Sequence, residues 1–205
     1  LAASAMFVAV LIAIPAGVFA AVRKGSLWDQ AAMLAALVGI SVPNFWLGPV
    51  LILVFAVWLG VLPIAGRESL SSLVLPAVTL GFALSAMLSR LTRAAMLDEL
   101  GRGYVTTARA KGLSERAVIM KHAFRNALNP VVTIIGLEVG SLLAGTIVTE
   151  RIFNWPGIGT LLLDSISRRD YPLVEGCILA IAFAYVLVNA ATDCAYRLVD
   201  PRVKV

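Results

Sequence analysis

The residues of this chain that are able to do chemistry are concentrated in one basic stretch, residues 103–130, which reads GYVTTARAKGLSERAVIMKHAFRNALNP. Its lysine and arginine side chains are suited to charge-assisted hydrogen bonds with carboxylates or phosphates. No constellation of nucleophile, base and oxyanion donor accompanies them. Without a catalytic constellation, the remaining functions are transport, sensing or scaffolding.

The motifs that would indicate an enzyme are missing from the sequence. There is no GxxxxGK[ST] loop, so the chain has no phosphate cradle of its own for ATP. His122 is the single histidine, which excludes an HExxH zinc site, and no GxSxG nucleophile elbow is present. We expect no catalytic residue, no metal site and no cofactor bound by this chain.

The elements that carry the basic stretch are strongly apolar. Hydrophobic residues make up 60% of the chain and charged residues only 14%, and the mean hydropathy is +0.92. A run of about 18 apolar residues is long enough to cross a bilayer as a helix. The apolar runs are Leu1–Val22, Ala31–Gly66, Leu73–Ser89, Asn126–Thr149 and Gly176–Thr192. They predict an all-α, polytopic transmembrane helical bundle with five visible spans.

The run Ala31–Gly66 is too long for one straight span and too short for two spans with a turn. It contains Pro43, Pro49 and Pro63, and proline breaks or kinks a helix. We expect one broken, tilted span with an interfacial lead-in.

The distribution of lysine and arginine predicts the orientation, because these residues collect on cytoplasmic flanks. One side of the predicted spans holds thirteen of the seventeen basic residues, including those of residues 90–129 and of the C-terminus. That side is predicted to be cytoplasmic. The net charge of +5 mostly reflects this topology and does not indicate a nucleic-acid partner.

The basic stretch itself predicts two short helices joined at Lys111-Gly112-Leu113, with Ser114 capping the second helix. On a helical wheel one arc is apolar, formed by Leu113, Ala117, Met120, Phe124, Ala127 and Leu128. Asn129-Pro130 is expected to mark re-entry into the membrane. Such a segment either rests on anionic headgroups or docks into a soluble partner, and periodicity alone leaves both interpretations open.

A family resemblance favours docking. The string TTARAKGLSERAVIMKHAFRNALNPVVT resembles the cytoplasmic loop of permease subunits in binding-protein-dependent ABC importers, in the dipeptide/oligopeptide/nickel branch. Gly112 matches the glycine of the general loop pattern, and Thr106-Thr107-Ala108 stands where that pattern has EAA. His122, Phe124 and Arg125 replace its Ile, Leu and Pro, as the branch's own form ARAKGLSERxVxxxHAxRNAxxP does.

The resemblance covers nearly all of the chain. GISVPNFWLG, LGVLPIAG, ERIFNWPGIGTLLLDSISRRDYPLVEG and the terminal DPRVKV are similar to segments of the B-type subunit, in the same order. The resemblance implies a type I ABC importer permease fold with six spans in the full subunit. Residues 1–205 would form a single permease domain whose first span precedes Leu1.

The resemblance also implies a role for the loop at 90–129, as the element that couples the permease to a cytoplasmic ATPase. Its implied contact residues are Thr106, Ala108, Arg109, Ala110, Lys111, Gly112 and Arg116. The implied partners are a second homologous permease, two ATPase subunits that hold ATP and Mg²⁺, an external substrate-binding protein and membrane lipid. Location in a bacterial inner membrane follows.

Two further sites stay open at this stage. Glu138 is the only ionisable residue well inside an apolar run, and such residues usually face a cavity or a partner. It either faces the translocation path or the second permease, or it has only a structural role. The external mouth, residues 150–175, offers rim candidates for the binding protein, although a solvated turn would have the same composition: Trp155, Arg168, Arg169 and Asp170.

The resemblance implies a dipeptide, an oligopeptide, glutathione or a nickel chelate as the substrate. An ion-coupled secondary transporter is the alternative from another class, but it would predict inverted repeats and several intramembrane charges. A non-transporting scaffold would not need the loop motif.

Overall fold

The computed structural model describes residues 1–67 and 69–199, and for residues 143–145, 193 and 195–199 it describes the backbone path only. Over these ranges the chain is helical and has no β-strand. The prediction of an all-α protein is confirmed. The predicted terminal basic residues Arg202 and Lys204, and with them the motif at 200–205, lie outside the described residues.

Ten α-helices follow one another along the described part of the chain. They are α1 Ala2–Val22, α2 Leu27–Ser41, α3 Asn44–Leu51, α4 Val74–Leu100, α5 Gly103–Ala110, α6 Glu115–Ala117, α7 Phe124–Gly145, α8 Ile147–Ile152, α9 Ile158–Ser167 and α10 Tyr171–Val199. Two segments have the wider i→i+5 bonding of a π-helix, Ile52–Trp58 after α3 and Val118–Ala123 between α6 and α7. A 3₁₀ turn, Leu70–Leu73, leads into α4.

The core is the parallel contact between α1 and α4, which small residues bring close together. A Cβ at Gly81 would lie 2.7 Å from the carbonyl oxygen of Ala5, and one at Gly17 would lie 2.6 Å from Cβ of Thr92. Close backbone approach of this kind is how apolar helices associate where no water drives them together. Leu88, fully buried, lies in the middle of this contact.

α7 packs on α1 and α4 and carries α10 on another face. Cβ atoms at Gly136 and Gly140 would lie 2.1 Å from Thr192 and 2.3 Å from Tyr185, so α7 and α10 run antiparallel in close contact. Gly136 and Gly140 thus permit the close packing of the two helices.

The long run Ala31–Gly66 is broken, as predicted, but more sharply than a tilted span would be. α2 and the helix from Asn44 to Trp58 meet at an angle of 101°. The bend falls at Val42-Pro43, where extended backbone and the proline ring end the first helix.

Within the described residues, three helical stretches are long and apolar enough to span a membrane: Ala2–Val22, Leu70–Leu100 and Tyr171–Thr192. The bent pair makes a fourth if it counts as one span. The predicted run Asn126–Thr149 is divided, because α7 ends at Gly145 and α8 begins at Ile147. The described part of α7 does not meet the same criterion of length and hydropathy. The structure therefore has fewer candidate spans than the five predicted.

Four helix termini meet at one end of the bundle. Ala21 of α1, Met96 of α4 and Ala127 of α7 form a buried cluster there, and the antiparallel packing brings the C-terminal half of α10 to the same end. At this end Arg93 of α4 donates two hydrogen bonds to Asp29 of α2, at 2.5 and 2.7 Å. The end that gathers these termini is the one that holds the basic stretch.

Candidate functional site

The turn after α5 is built on a glycine. Gly112 has φ +76°, its N–H donates to the carbonyl of Arg109 at 2.9 Å, and the N–H of Leu113 donates to the carbonyl of Ala108 at 3.4 Å. These two bonds define a Schellman motif, the helix end that most favours glycine. The predicted sharp turn at Lys111-Gly112-Leu113 is confirmed.

The inner face of α5 packs against the chain itself. Val105 and Ala108 are buried together with Val118 and contact Leu100, so α5 is seated on the end of α4 and on the π-helical segment. This corrects the expectation that Ala108 contacts a partner. With 7% of its surface exposed, Ala108 holds α5 in place from the inside.

The outer face of the same element is exposed. It presents the remaining predicted contact residues, Thr106, Arg109, Ala110, Lys111, Gly112 and Arg116. Arg109 is already engaged within the turn, because its Nε and Nη2 donate to the Glu115 carboxylate at 2.7 and 3.3 Å. The hydrogen bond and charge of Glu115 raise the pKa of Arg109. The fork ties the end of α5 to the start of α6 and rigidifies the turn.

The helix after the turn differs from the predicted amphipathic one. Ser114 caps α6 by accepting from the Ala117 N–H at 3.4 Å, as predicted, but α6, the π-helical segment and α7 then run on without a break. Pro130 lies inside α7 and does not start a new helix. The predicted boundary at Asn129-Pro130 is therefore wrong.

The predicted apolar arc is only partly a buried face, in which Ala127 is buried. Val118 and Ala123 are fully buried, whereas Met120 is 50% exposed and Leu113 is 42% exposed. The π-helical segment turns less per residue than the 100° of an α-helix, so the helical wheel loses its register across it.

A polar junction that the sequence did not indicate joins α4, α5 and α7. Tyr104 Oη donates to Glu99 Oε2 at 2.5 Å and accepts from Asn126 Nδ2 at 3.0 Å. Arg102 Nε lies 3.1 Å from Glu99 Oε1, so both carboxylate oxygens have a partner. Burial, and then the bond to Glu99, raises the pKa of Tyr104, which keeps the hydroxyl protonated as a donor at neutral pH.

Glu138 lies on α7 and is half-buried. It makes no hydrogen bond or ion pair with any group in the described part of the chain. Gly136 and Gly140, the residues that contact α10, occupy the opposite face of the helix at 100° per residue. The carboxylate is therefore directed away from the α7–α10 interface.

The segment predicted to be external is organised by its first residue, Glu150. The carboxylate is 3% exposed, accepts from Thr146 Oγ1 at 2.8 Å and accepts from the Thr160 backbone N–H at 2.8 Å. A Cβ at Gly157 would lie 2.1 Å from Glu150 Oε1, so glycine is required where α9 begins. A negative charge at this N-terminus also complements the helix dipole of α9.

The predicted rim residues differ in their surroundings. Trp155 lies under the guanidinium of Arg67, whose Cζ is 6.0 Å from the ring centroid. Arg168 and Arg169 are exposed, and Arg169 has φ +57° at the end of α9, a position that normally favours glycine. Asp170 has a structural partner, because its Oδ1 accepts from the Leu173 N–H at 3.2 Å and caps α10.

Solved structures with the same fold define the class of protein. A chain of the MetNI methionine ABC transporter in an inward-facing conformation superposes with a TM-score of 0.77, at 19% identity over 95% of this chain and 89% of that one. A chain of an amino acid ABC transporter crystallised with histidines gives a TM-score of 0.63 at 19% identity, over 97% and 89%. The fold is that of a type I ABC importer permease.

The sequence profile of the family described as "Binding-protein-dependent transport system inner membrane component" matches residues 13–205. The chain belongs to this family. It is an inner-membrane permease subunit of an ABC importer, and the alternative of an ion-coupled secondary transporter is not supported.

Curated relatives place the chain in the peptide branch. It is 44% identical to the di/tripeptide permease DppB of Pseudomonas aeruginosa, over 100% of this chain and 69% of the relative. Identity is 42% to the dipeptide permease DppB of Escherichia coli K12 (98% and 68%) and 45% to the glutathione permease GsiC of the same strain (98% and 66%). The chain thus spans about two thirds of their length.

The alignments differ in one respect. The alignment with the P. aeruginosa DppB extends over 232 positions, so at least 27 of them have no counterpart among the 205 residues here. The alignment with GsiC extends over 201 positions. Over the aligned region, this chain and the glutathione permease therefore have the same length.

Proposed function

We propose that this chain and a second homologous permease form the translocation path for peptides of two or three residues. Two ATPase subunits drive the path from the cytoplasm and bind the ATP and Mg²⁺, and an external substrate-binding protein delivers the peptide. The chain itself holds no cofactor and catalyses no reaction. Its other contacts are with membrane lipid and not with nucleic acid.

The observation that carries this proposal is the exposed, rigid element α5–Gly112–α6. Its backbone is fixed by the Schellman motif, its side chains are fixed by the Arg109–Glu115 fork, and its inner face is seated on Val118 and Leu100. We assign the ATPase contact to its outer face, formed by Thr106, Arg109, Ala110, Lys111 and Arg116. A rigid element of this kind transmits a displacement as a rigid-body movement.

The orientation follows from the same element. We place residues 90–129 and the C-terminus in the cytoplasm, because the bundle end that holds α5 also holds the basic flanks that collect there. The opposite end, with α8, α9 and the start of α10, then forms the external mouth. Arg168 and Arg169 are exposed rim cations available to a binding protein, and Trp155, which lies under Arg67, is a further candidate.

The substrate class rests on the relatives and on Glu138. The relatives are named for di/tripeptides, dipeptides and glutathione, and glutathione is itself a tripeptide. A half-buried carboxylate on α7 that has no partner among the described residues is suited to the ammonium group of a peptide, so we assign Glu138 to the path. The matching alignment length makes glutathione the first substrate to test.

Uptake into proteoliposomes tests the function. The complete transporter, with both permeases, the ATPase subunits and the binding protein, is reconstituted and supplied with labelled glutathione or a labelled tripeptide. We expect uptake that requires ATP and the binding protein and that survives an ionophore which collapses ion gradients. Uptake that follows an ion gradient without ATP would overturn the proposal.

A further inference from the structure

The hydroxyl of Tyr104 joins the exposed helix α5 to its neighbours. It donates to Glu99 Oε2 on α4 at 2.5 Å, accepts from Asn126 Nδ2 on α7 at 3.0 Å and lies 3.4 Å from the His122 carbonyl oxygen. The side chains of Val105 and Ala108, which also seat α5, make apolar contacts. Apolar contacts tolerate sliding, whereas a hydrogen bond fixes direction and distance.

Glu99, the partner on α4, is a buried acidic residue that needs hydrogen-bond donors. It is 8% exposed, and two donors face its carboxylate, Tyr104 Oη and Arg102 Nε. Removing one donor leaves a buried charge with less compensation, which is costly. The Tyr104–Glu99 hydrogen bond therefore holds α5 firmly against α4.

The partner on α7 lies between two weak points of the helix. The π-helical segment Val118–Ala123 precedes Asn126, and Pro130 follows it without an N–H to donate to the carbonyl four residues earlier. Helices bend at such places. The short piece 124–129 is thus able to move relative to the rest of α7, and the Asn126–Tyr104 bond ties it to α5.

Space for such a movement is present. A cavity of about 510 Å³ opens beside the junction and is lined by Glu99, Arg102, Tyr104, Asn126 and Pro130, among others. A side chain or helix that moves towards this side enters open space rather than close-packed atoms.

We propose that Tyr104 is a positioning residue for energy coupling, whose hydroxyl carries the displacement of α5 to α4 through Glu99 and to α7 through Asn126. This inference rests on the proposed function, because it requires α5 to be moved by an ATPase. Tyr104 needs no contact with ATPase or substrate. Its effect on transport is exerted through the two spans.

The test measures ATP hydrolysed per peptide taken up by the reconstituted transporter with Tyr104→Phe, which removes only the hydroxyl. Thr133→Val is the matched control, because among the described residues the Thr133 hydroxyl donates only to the Asn129 carbonyl of its own helix. We expect the ratio to rise by at least about fivefold in Tyr104→Phe, the lower range of coupling between two sites. The control should keep the wild-type ratio.

A double-mutant cycle separates the junction from a general loss of stability. Asn126→Ala, at an exposed position, should uncouple transport by itself and add nothing when combined with Tyr104→Phe, because its acceptor is already gone. Independent effects of the two changes, or a fall of hydrolysis and uptake in constant ratio, would overturn the inference. If the wild-type complex itself shows no ATP-dependent uptake, the proposed function fails first, and this inference fails with it.

Discussion

At the residue scale, Gly112 sets the geometry of the turn through its backbone. A Cβ there would meet no atom within 4 Å, so a substitution acts through φ +76° and not through a clash. An L-residue in this region costs about 1–2 kcal/mol, and a β-branched residue is the least suited to it. We expect Gly112→Val to abolish uptake while membrane insertion is retained.

Asparagine supplies the matched control at this position, because it adopts left-handed backbone angles more readily than other residues. Gly112→Asn should keep most of the uptake. The measurement is peptide uptake in cells with the complete transporter, normalised to the amount of permease in the membrane. Normal uptake by Gly112→Val would remove the turn from the mechanism.

Glu138 gives a second prediction at this scale. If its carboxylate faces the path, Glu138→Ala should reduce uptake while the amount of assembled complex changes little, since the side chain has no partner in the described part of the chain. Ser141→Ala, an exposed change one turn further along α7, is the control. Uptake kinetics that stay unchanged over a range of pH would assign Glu138 a structural role.

Replacing Arg169 by glycine removes a candidate docking charge at little cost in folding stability. Glycine removes the strain of φ +57°, which stabilises the fold by about 1 kcal/mol. Its greater freedom in the unfolded chain destabilises the fold by a similar amount. Arg169→Gly should therefore keep the melting temperature of the transporter nearly unchanged. Its affinity for the binding protein should fall by up to about fivefold at low salt, the range of an exposed ion pair.

The comparison is made by binding titration at low and at high salt, because screening weakens a rim charge. The difference between wild type and Arg169→Gly should shrink as salt increases. Equal affinity of the two proteins at low salt would show that Arg169 belongs to a solvated turn.

At the scale of elements, the α1–α4 contact is the part of the fold least tolerant of added volume. A Cβ at Gly81 would lie 2.7 Å from the Ala5 carbonyl oxygen, a backbone atom that is unable to rotate away. Overpacking of this kind costs about 1–3 kcal/mol. Gly81→Ala should lower the melting temperature of the purified complex, whereas Gly176→Ala, with no atom within 4 Å, should not. Equal stability of both variants would argue against this helix contact.

The elements also show what the sequence was able to predict. Apolar runs predicted α1, α4 and α10, because hydropathy over about 18 residues is a direct requirement of the bilayer. Ser114 and Gly112 predicted the cap and the turn, since both act through local backbone geometry. The bend at Pro43 was underestimated, because a proline indicates a break but its angle depends on the helices packed around it.

Other features depended on contacts between distant residues. The π-helical segment Val118–Ala123 carries no recognisable local signal, and it shifted the buried face from Met120 to Val118. Glu99 and Asn126 are 27 positions apart and meet only through Tyr104. Glu150 was detectable only through Gly157 and Gly159, whose small size leaves room for its carboxylate.

At the scale of the whole molecule, the chain is a bundle with two functional ends. Arg109, Gly112 and Tyr104 lie at the end where the termini of α1, α4 and α7 meet, and Glu150 organises the opposite end. α4 runs from one end to the other and contacts α1, α2 and α7. A displacement applied to α5 therefore reaches the spans through α4 and α7.

The central claim, that α5 receives movement from an ATPase, is tested most directly by crosslinking. A single cysteine is placed at exposed Ala110 in a transporter whose Cys177 and Cys194 have been replaced, with the buried Ala108 as the matched control position. Crosslinking to an ATPase subunit is measured in assembled, transport-competent complexes with and without ATP. We expect Ala110→Cys to crosslink with a yield that changes between the two states, and Ala108→Cys to crosslink poorly in both. Poor crosslinking of Ala110→Cys in both states, as for a helix on lipid, or an equal yield in both, as for a static scaffold, would contradict the coupling role.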